Sequence, residues 1–190
     1  MFKDLVLKNR SYRRFDQKFK IEPQALSELI DLARLSASAA NLQPLKYITS
    51  SNSKTNALIF ETLGWAGYLK DWPGPTEGER PSAYIIILGD TKISKNFGCD
   101  HGICAQSILL GAAEIGLGGC MIATIKKDKL AETLQISADY EILLVIAIGK
   151  PKECITLEAA KSNEIKYWRD SQGVHHVPKR SLEEIIIKQY

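Results

Sequence analysis

The sequence lacks every pattern that would let it act with a metal or a nucleophile of its own. Its four cysteines, Cys99, Cys104, Cys120 and Cys154, form no C-x-x-C pair and show no zinc-type spacing with the histidines. Free thiols in a reducing cytoplasm are the simplest account of them, and no metal site is expected. There is no G-x-S-x-G elbow and no H-E-x-x-H. His175 and His176 are adjacent in an extended segment, so their rings point opposite ways and do not share one metal. No apolar run approaches the roughly 20 residues that span a bilayer, so no membrane partner is expected. The start, Met1-Phe2-Lys3-Asp4, carries an acid early and no apolar h-region, which argues against a signal peptide. A net charge of +3 is too small to point to nucleic acid. With no self-sufficient nucleophile, any enzymatic chemistry here needs a cofactor to supply it.

What is present fits one domain over residues 1–190, with 45% apolar and 25% charged residues and enough chain for a real core. Apolar periodicity predicts a short amphipathic helix over 2–8. A second helix is expected to begin near Pro23, which suits a first helical position, to carry Leu26, Leu29, Ile30, Ala33 and Ala37, and to run out in the small residues 36–41. Residues 52–70 are expected to be helical with a weak pattern. Residues 72–79, rich in Pro and Gly, read as a loop, either a mobile lid or a plain surface connection. Asp100 to Gly116 reads as a helix apolar nearly all round and therefore central, with small residues that allow another helix close. Residues 127–134 form a further short helix. Strands are expected over 46–50, 83–89, 120–125 and 142–149. The runs 83–89 and 142–149 are apolar without a break, as in strands buried on both faces. Ser181 with Glu184 three residues on forms a capping box for a last helix. The alternation gives an α+β or α/β class with a mainly antiparallel or mixed sheet.

Three constellations carry chemical potential. Asn9-Arg10-Ser11-Tyr12-Arg13-Arg14-Phe15 packs three guanidiniums and a hydroxyl into five residues. On a helical turn Arg10 and Arg13 share a face, and Ser11 caps it with its hydroxyl and N–H toward an anion. Planar forked donors match phosphate oxygens in pairs. Taken alone, the stretch also fits a solvated basic helix end. Lys179 and Arg180 join this cluster if the termini meet. Ser38, Asn41 and Gln43 offer donors and acceptors to a flat heterocycle, and fit a helix end and turn equally. In Gly116-Leu117-Gly118-Gly119 the helix precedes the glycines, so this is no Rossmann fingerprint. One glycine stops a helix; three let backbone approach something closely. Asp100-His101 reads as a helix cap. Trp168 and His175-His176 fall in no motif.

In their order and spacing these pieces resemble the nitroreductase family of FMN-dependent oxidoreductases. The matching stretches are Arg10 to Phe15, Asn41-Leu42-Gln43-Pro44, the helix from Asp100, Gly116 to Cys120, Ile148-Gly149-Lys150-Pro151 and Pro178-Lys179-Arg180. The resemblance implies an α+β sandwich, a mainly antiparallel central sheet flanked by helices. It also implies a homodimer whose C-terminal segment, residues 155–190, is swapped onto the partner. FMN is the implied cofactor, with NADH or NADPH as co-substrate. Arg10, Ser11 and Arg13 would hold the phosphate and ribityl end, joined by Arg180 and Lys179, with Arg14 left as a surface or interface charge. Ser38, Ala39 and Asn41 of a second copy would contact the isoalloxazine. The Ala123-Thr124 backbone would lie against flavin N5 and the pyrimidine edge. The implied reaction is a ping-pong hydride transfer from NAD(P)H through N5 to a nitroaromatic, quinone or similar small acceptor, with no catalytic side chain. A flavin-binding or flavin-consuming relative without xenobiotic reductase activity is the alternative, and a non-enzymatic basic module is a third.

Overall fold

One long strand organises the molecule, which a computed structural model describes over residues 1–190. In chain order the elements are α1 (Phe2–Lys8), β1 (Phe15–Asp16), α2 (Pro23–Arg34), β2 (Leu45–Ser50), α3 (Ser53–Phe60), β3 (Ala83–Asp90) and α4 (Asp100–Glu114). They continue with β4 (Gly118–Ile122), α5 (Lys127–Leu134), β5 (Tyr140–Pro151), β6 (Ile155–Ala159), β7 (Trp168–Arg169), β8 (His175–Lys179) and α6 (Leu182–Ile185). The organising strand is β5. Its residues Val145 to Ile148 are wholly buried, because helices cover both faces of the sheet there.

β3 pairs antiparallel along one edge of β5, and β2 pairs antiparallel outside β3. The other edge of β5 is divided. Residues 145–149 take β4, while Lys150 and Pro151 take β1. A strand of twelve residues thus anchors both the glycine stretch and the end of the arginine stretch, two pieces about a hundred residues apart in sequence. This is the mainly antiparallel α+β sandwich that the sequence led us to expect.

Alternation at period two builds the two layers. Ile85, Ile87, Leu144, Ile146 and Ile148 face α2 and α4. Tyr84, Ile86, Leu88, Val145 and Ala147 face α3 and α5. A bulge opposite Ile87 and Leu88 leaves Leu143 unpaired, which turns Ile142 to the α3/α5 side. Fully burying one isoleucine contributes about 1.5–3 kcal/mol, so the two central strands supply much of the fold's driving force. α2 and α4 come together at Gly111, where a Cβ would stand 2.3 Å from Leu32 Cδ1.

Several expectations need correction. Helix α3 ends at Phe60, and residues 61–82 are turns and irregular chain. Helix α4 buries only one face, through Cys104, Ala105, Ile108, Leu109 and Ala112. Gly102 and Ile103 on its other side are exposed. Gly116 ends the helix in the left-handed region at φ +74°, with Leu117 N–H donating to the Ala112 carbonyl at 2.8 Å. Gly118 and Gly119 are not part of that turn; they belong to β4. The capping box at Ser181 is formed, with Glu184 N–H donating to its hydroxyl and Ser181 N–H donating to the Glu184 carboxylate.

The C-terminal segment makes its own small sheet. β6 and β8 run parallel, and β7 pairs antiparallel with β8. This sheet docks beside the arginine stretch of the same chain through Arg169 and Tyr167. No helix is long and apolar enough to cross a membrane.

Candidate functional site

The arginine stretch is extended, not helical. Residues 9–14 run alongside β4: Ser11 bridges Gly119, and Tyr12 N–H donates to the Gly119 carbonyl at 3.1 Å. Ser11 therefore caps nothing, and Arg10 and Arg13 do not share a helical face. The glycines make this pairing possible. A Cβ on Gly118 would lie 2.5 Å from the Tyr12 ring, and one on Gly119 would lie 2.3 Å from the Ala147 carbonyl oxygen. The close approach that three glycines announced is made by the chain's own strands.

A buried carboxylate fixes the main chain of the stretch. Glu153 Oε1 accepts from Arg13 N–H and, at 3.3 Å, from Arg14 N–H. Its Oε2 accepts from Arg169 Nη2 at 3.0 Å, with 1% of the Glu153 side chain exposed. Arg14, expected as a free surface or interface charge, instead makes a bidentate pair with Glu79, both bonds at 2.6 Å. That pair holds the Glu79 carboxyl below the usual carboxylate range and ties residues 76–79 to the stretch.

With Arg14 engaged, Arg10 and Arg13 are left to face a cavity of about 550 Å³, together with Ser11 and Lys179. Arg10 Nη2 donates to the Val6 carbonyl at 2.8 Å, and its buried Nε has no partner. The Arg13 guanidinium carbon lies 4.9 Å from the centre of the Tyr167 ring. An adjoining cavity of about 250 Å³ shares Arg13, Met121 and Tyr167 with the first and is lined further by Ala123, Thr124, Gly64 and Trp65. Gly64 N–H donates to the Thr124 carbonyl at 2.8 Å, which sets the position of the Ala123-Thr124 backbone.

Arg180 is not on either cavity. Its Nη1 donates to Asn163 Oδ1 at 2.5 Å and pairs with Glu184 at 3.5 Å. Ser38, Ala39 and Asn41 are also elsewhere in the same chain. Ser38 Oγ and Ala39 N–H donate to the buried Asp100 carboxylate at 2.6 and 3.0 Å. Asp100 thus sits in the first turn of α4 behind Cys99, the capping position, and serves the loop rather than the helix end. Ala40, Asn41 and Gln43 all have φ near +50°. Three L-residues in the left-handed region within four positions are strained, and the Asp100 bonds, with Gln43 N–H on Ser38 Oγ at 2.9 Å, hold them.

Glu153 was missed by sequence reasoning, and Tyr167 and His175 stood out in the sequence only as members of an aromatic pair and a histidine pair with no assigned role. Their partners in the fold are distant in sequence, so no local pattern marks what they do. Burial pushes the Cys120 thiol up to about 12 and raises Cys104 as well, so neither buried cysteine is a ready nucleophile.

An antiparallel sheet covered by helices, with a basic cavity at one edge, defines the molecule as an α+β sandwich. The chain belongs to the nitroreductase family, whose sequence profile matches residues 6–67 and 80–150, and it is an oxidoreductase. It is 28% identical over 176 residues to the "Putative NAD(P)H nitroreductase YodC" of Bacillus subtilis (strain 168), covering 76% of this chain and 87% of that protein. Among solved structures, a nitroreductase family protein from Streptococcus pneumoniae TIGR4 superposes with a TM-score of 0.71 at 19% identity over the full length of both chains. An FMN-dependent nitroreductase from Clostridium difficile R20291 superposes with a TM-score of 0.64 at 21% identity, covering 84% of this chain and 91% of that one. Identities this low carry the fold.

Proposed function

We propose that this chain is an FMN-dependent NAD(P)H oxidoreductase that works as a homodimer. The observation that carries the reading is the convergence of Arg10, Arg13 and Lys179 on one cavity, adjoined by a second at the Ala123-Thr124 backbone. The pair of cavities suits an elongated cofactor, anionic at one end and flat at the other. The donor set fits too, since Arg10 Nε is buried beside the cavity without a partner. FMN, held by Arg10, Ser11, Arg13 and Lys179, would supply the redox chemistry of a ping-pong hydride transfer from NADH or NADPH to a nitroaromatic, quinone or similar acceptor.

The chain's own residues bind and orient. Arg10, Ser11, Arg13 and Lys179 neutralise and grip the phosphate end, each charge-assisted bond contributing about 1.5–3 kcal/mol. Glu153 keeps Arg13 on the cavity by holding its backbone. Trp65, Met121 and Tyr167 provide apolar surface that excludes water from the flat end. Ser38, Ala39 and Asn41 line neither cavity of their own chain, and we assign them to the flavin site of a second copy. The strained loop they form is held ready by Asp100.

Purified protein is expected to be yellow and to release FMN on heating. Anaerobic addition of NADH or NADPH should bleach the yellow. A flavin that stays oxidised with both nucleotides refutes the reductase reading in favour of a flavin-binding or flavin-consuming relative. Colourless protein that takes up no FMN refutes the flavin reading itself.

A further inference from the structure

Among the polar side chains that line the cavity gathering Arg10, Arg13 and Lys179 is His175. It is the first residue of β8, opposite Ile155, and its N–H donates to the Cys154 carbonyl at 2.9 Å. The residue is 1% exposed, and neither ring nitrogen has a hydrogen-bond partner in the chain. Protein interiors rarely leave a buried imidazole with both nitrogens unmet. Arg10 Nε is a second such orphan on the same cavity. Two orphaned polar groups on one basic cavity are the mark of a ligand that satisfies both.

The surroundings settle which kind of ligand. Burial, then the cations Arg13, Arg169 and His176, push the His175 pKa down to about 4. The ring is neutral near pH 7 and has one N–H to give. The nearby carboxylate, Glu153, is already committed to Arg13, Arg14 and Arg169. Tyr167 faces the imidazole with its ring, centroids 5.2 Å apart. His175 and Lys179 are four apart on one strand, so they project from the same side of β8. A group that meets a neutral N–H donor among guanidiniums and a lysine is an anion with several acceptor oxygens.

We propose that His175 is a direct ligand of the phosphate monoester of the bound flavin and helps the protein select phosphorylated over unphosphorylated flavin. This rests on the flavin reading above and adds a binding residue to it. β8 then serves the pocket at both ends, with His175 as the neutral donor and Lys179 as the charged one.

The test is titration of the full-length, flavin-stripped protein with FMN and with riboflavin, read by quenching of flavin fluorescence. His175→Phe keeps a planar ring and removes the donor; His175→Gln restores a neutral donor. His175→Phe should weaken FMN roughly ten- to a hundredfold, the value of one hydrogen bond to a charged group. Riboflavin affinity should change less than about twofold, because a phosphate contact is not available to it. His175→Gln should recover most of the FMN affinity. Equal losses for both flavins in His175→Phe mean that the ring only packs the sheet, and overturn the inference, as does unchanged FMN affinity. Wild-type protein that binds neither flavin overturns the flavin reading and this inference with it.

Discussion

Glu153 and the backbone of Arg13 are joined by a hydrogen bond across 140 residues of sequence. The same carboxylate accepts from Arg169 at 3.0 Å. One buried acid therefore sets both the basic stretch and the C-terminal sheet. Removing it leaves a largely buried guanidinium without its counter-charge, and breaking such a pair costs about 3–5 kcal/mol. Glu153→Ala is expected to lower stability by roughly that amount in urea unfolding. A midpoint equal to wild type would show that Glu153 does not hold the stretch.

The glycines of β4 and α4 make opposite predictions. A methyl at Gly119 meets the Ala147 carbonyl at 2.3 Å, a backbone atom of the central strand that has no room to yield. Gly119→Ala is expected to destabilise by at least about 2 kcal/mol, as overpacking in a core does. Gly102 in α4 has nothing within 4 Å of the same position. Gly102→Ala is expected to stabilise by about 0.4–1 kcal/mol through the unfolded chain and helix propensity. Thermal melts of the two variants compare them directly, and a destabilising Gly102→Ala contradicts an open site there.

The C-terminal sheet carries a pH dependence. His176 lies between Glu158 of β6 and Asp170 beyond β7, and stacks on Trp168 with ring centroids 4.0 Å apart. The Glu158 hydrogen bond is the main cause that raises its pKa above the ordinary 6.5, and Asp170 adds to it. A histidine whose folded pKa is raised stabilises the fold fully below its unfolded pKa and loses that contribution as pH rises through the folded value. The stability difference between wild type and His176→Gln should therefore be larger at pH 6 than at pH 9. Urea midpoints at the two pH values measure it; a difference that grows with pH has the wrong sign for this arrangement.

Asp100 is expected to govern the loop at 38–43. Without its carboxylate, Ser38 Oγ and Ala39 N–H lose their acceptor and the left-handed residues lose their brace. Asp100→Ala should speed hydrogen exchange across 38–43 by about tenfold or more, the effect of a local opening made easier by ~1.4 kcal/mol. Exchange rates matching wild type would place the brace elsewhere.

The parts of this molecule that repeat locally could be read from the sequence. The unbroken apolar runs of β3 and β5 announced strands buried on both faces, and Pro23 and Ser181 marked helix starts. Arg10, Arg13 and Lys179 stood out by charge density and do line one cavity. Their conformation did not follow from that: the partner of Tyr12 N–H is Gly119, and no local pattern encodes a strand laid alongside another a hundred residues away. Gly118 and Gly119 showed that something comes close, but not that it is Tyr12 and Ala147. Glu153, Tyr167 and His175 have no local signature because burial and distant partners give them their roles. Residues 61–70 looked helical from composition, and turns won there, with Ala66 at φ +40° and Gly64 drawn to Thr124.

The central claim is that the cavity at Arg10 and Arg13 holds the phosphate end of FMN. The most direct measurement is the flavin content of purified wild type and of the Arg10→Ala, Arg13→Ala double variant, with circular dichroism to confirm that both are folded. The expected result is a yellow wild type with about one FMN per chain and a folded, colourless double variant. A folded double variant that retains FMN at the wild-type ratio would contradict it.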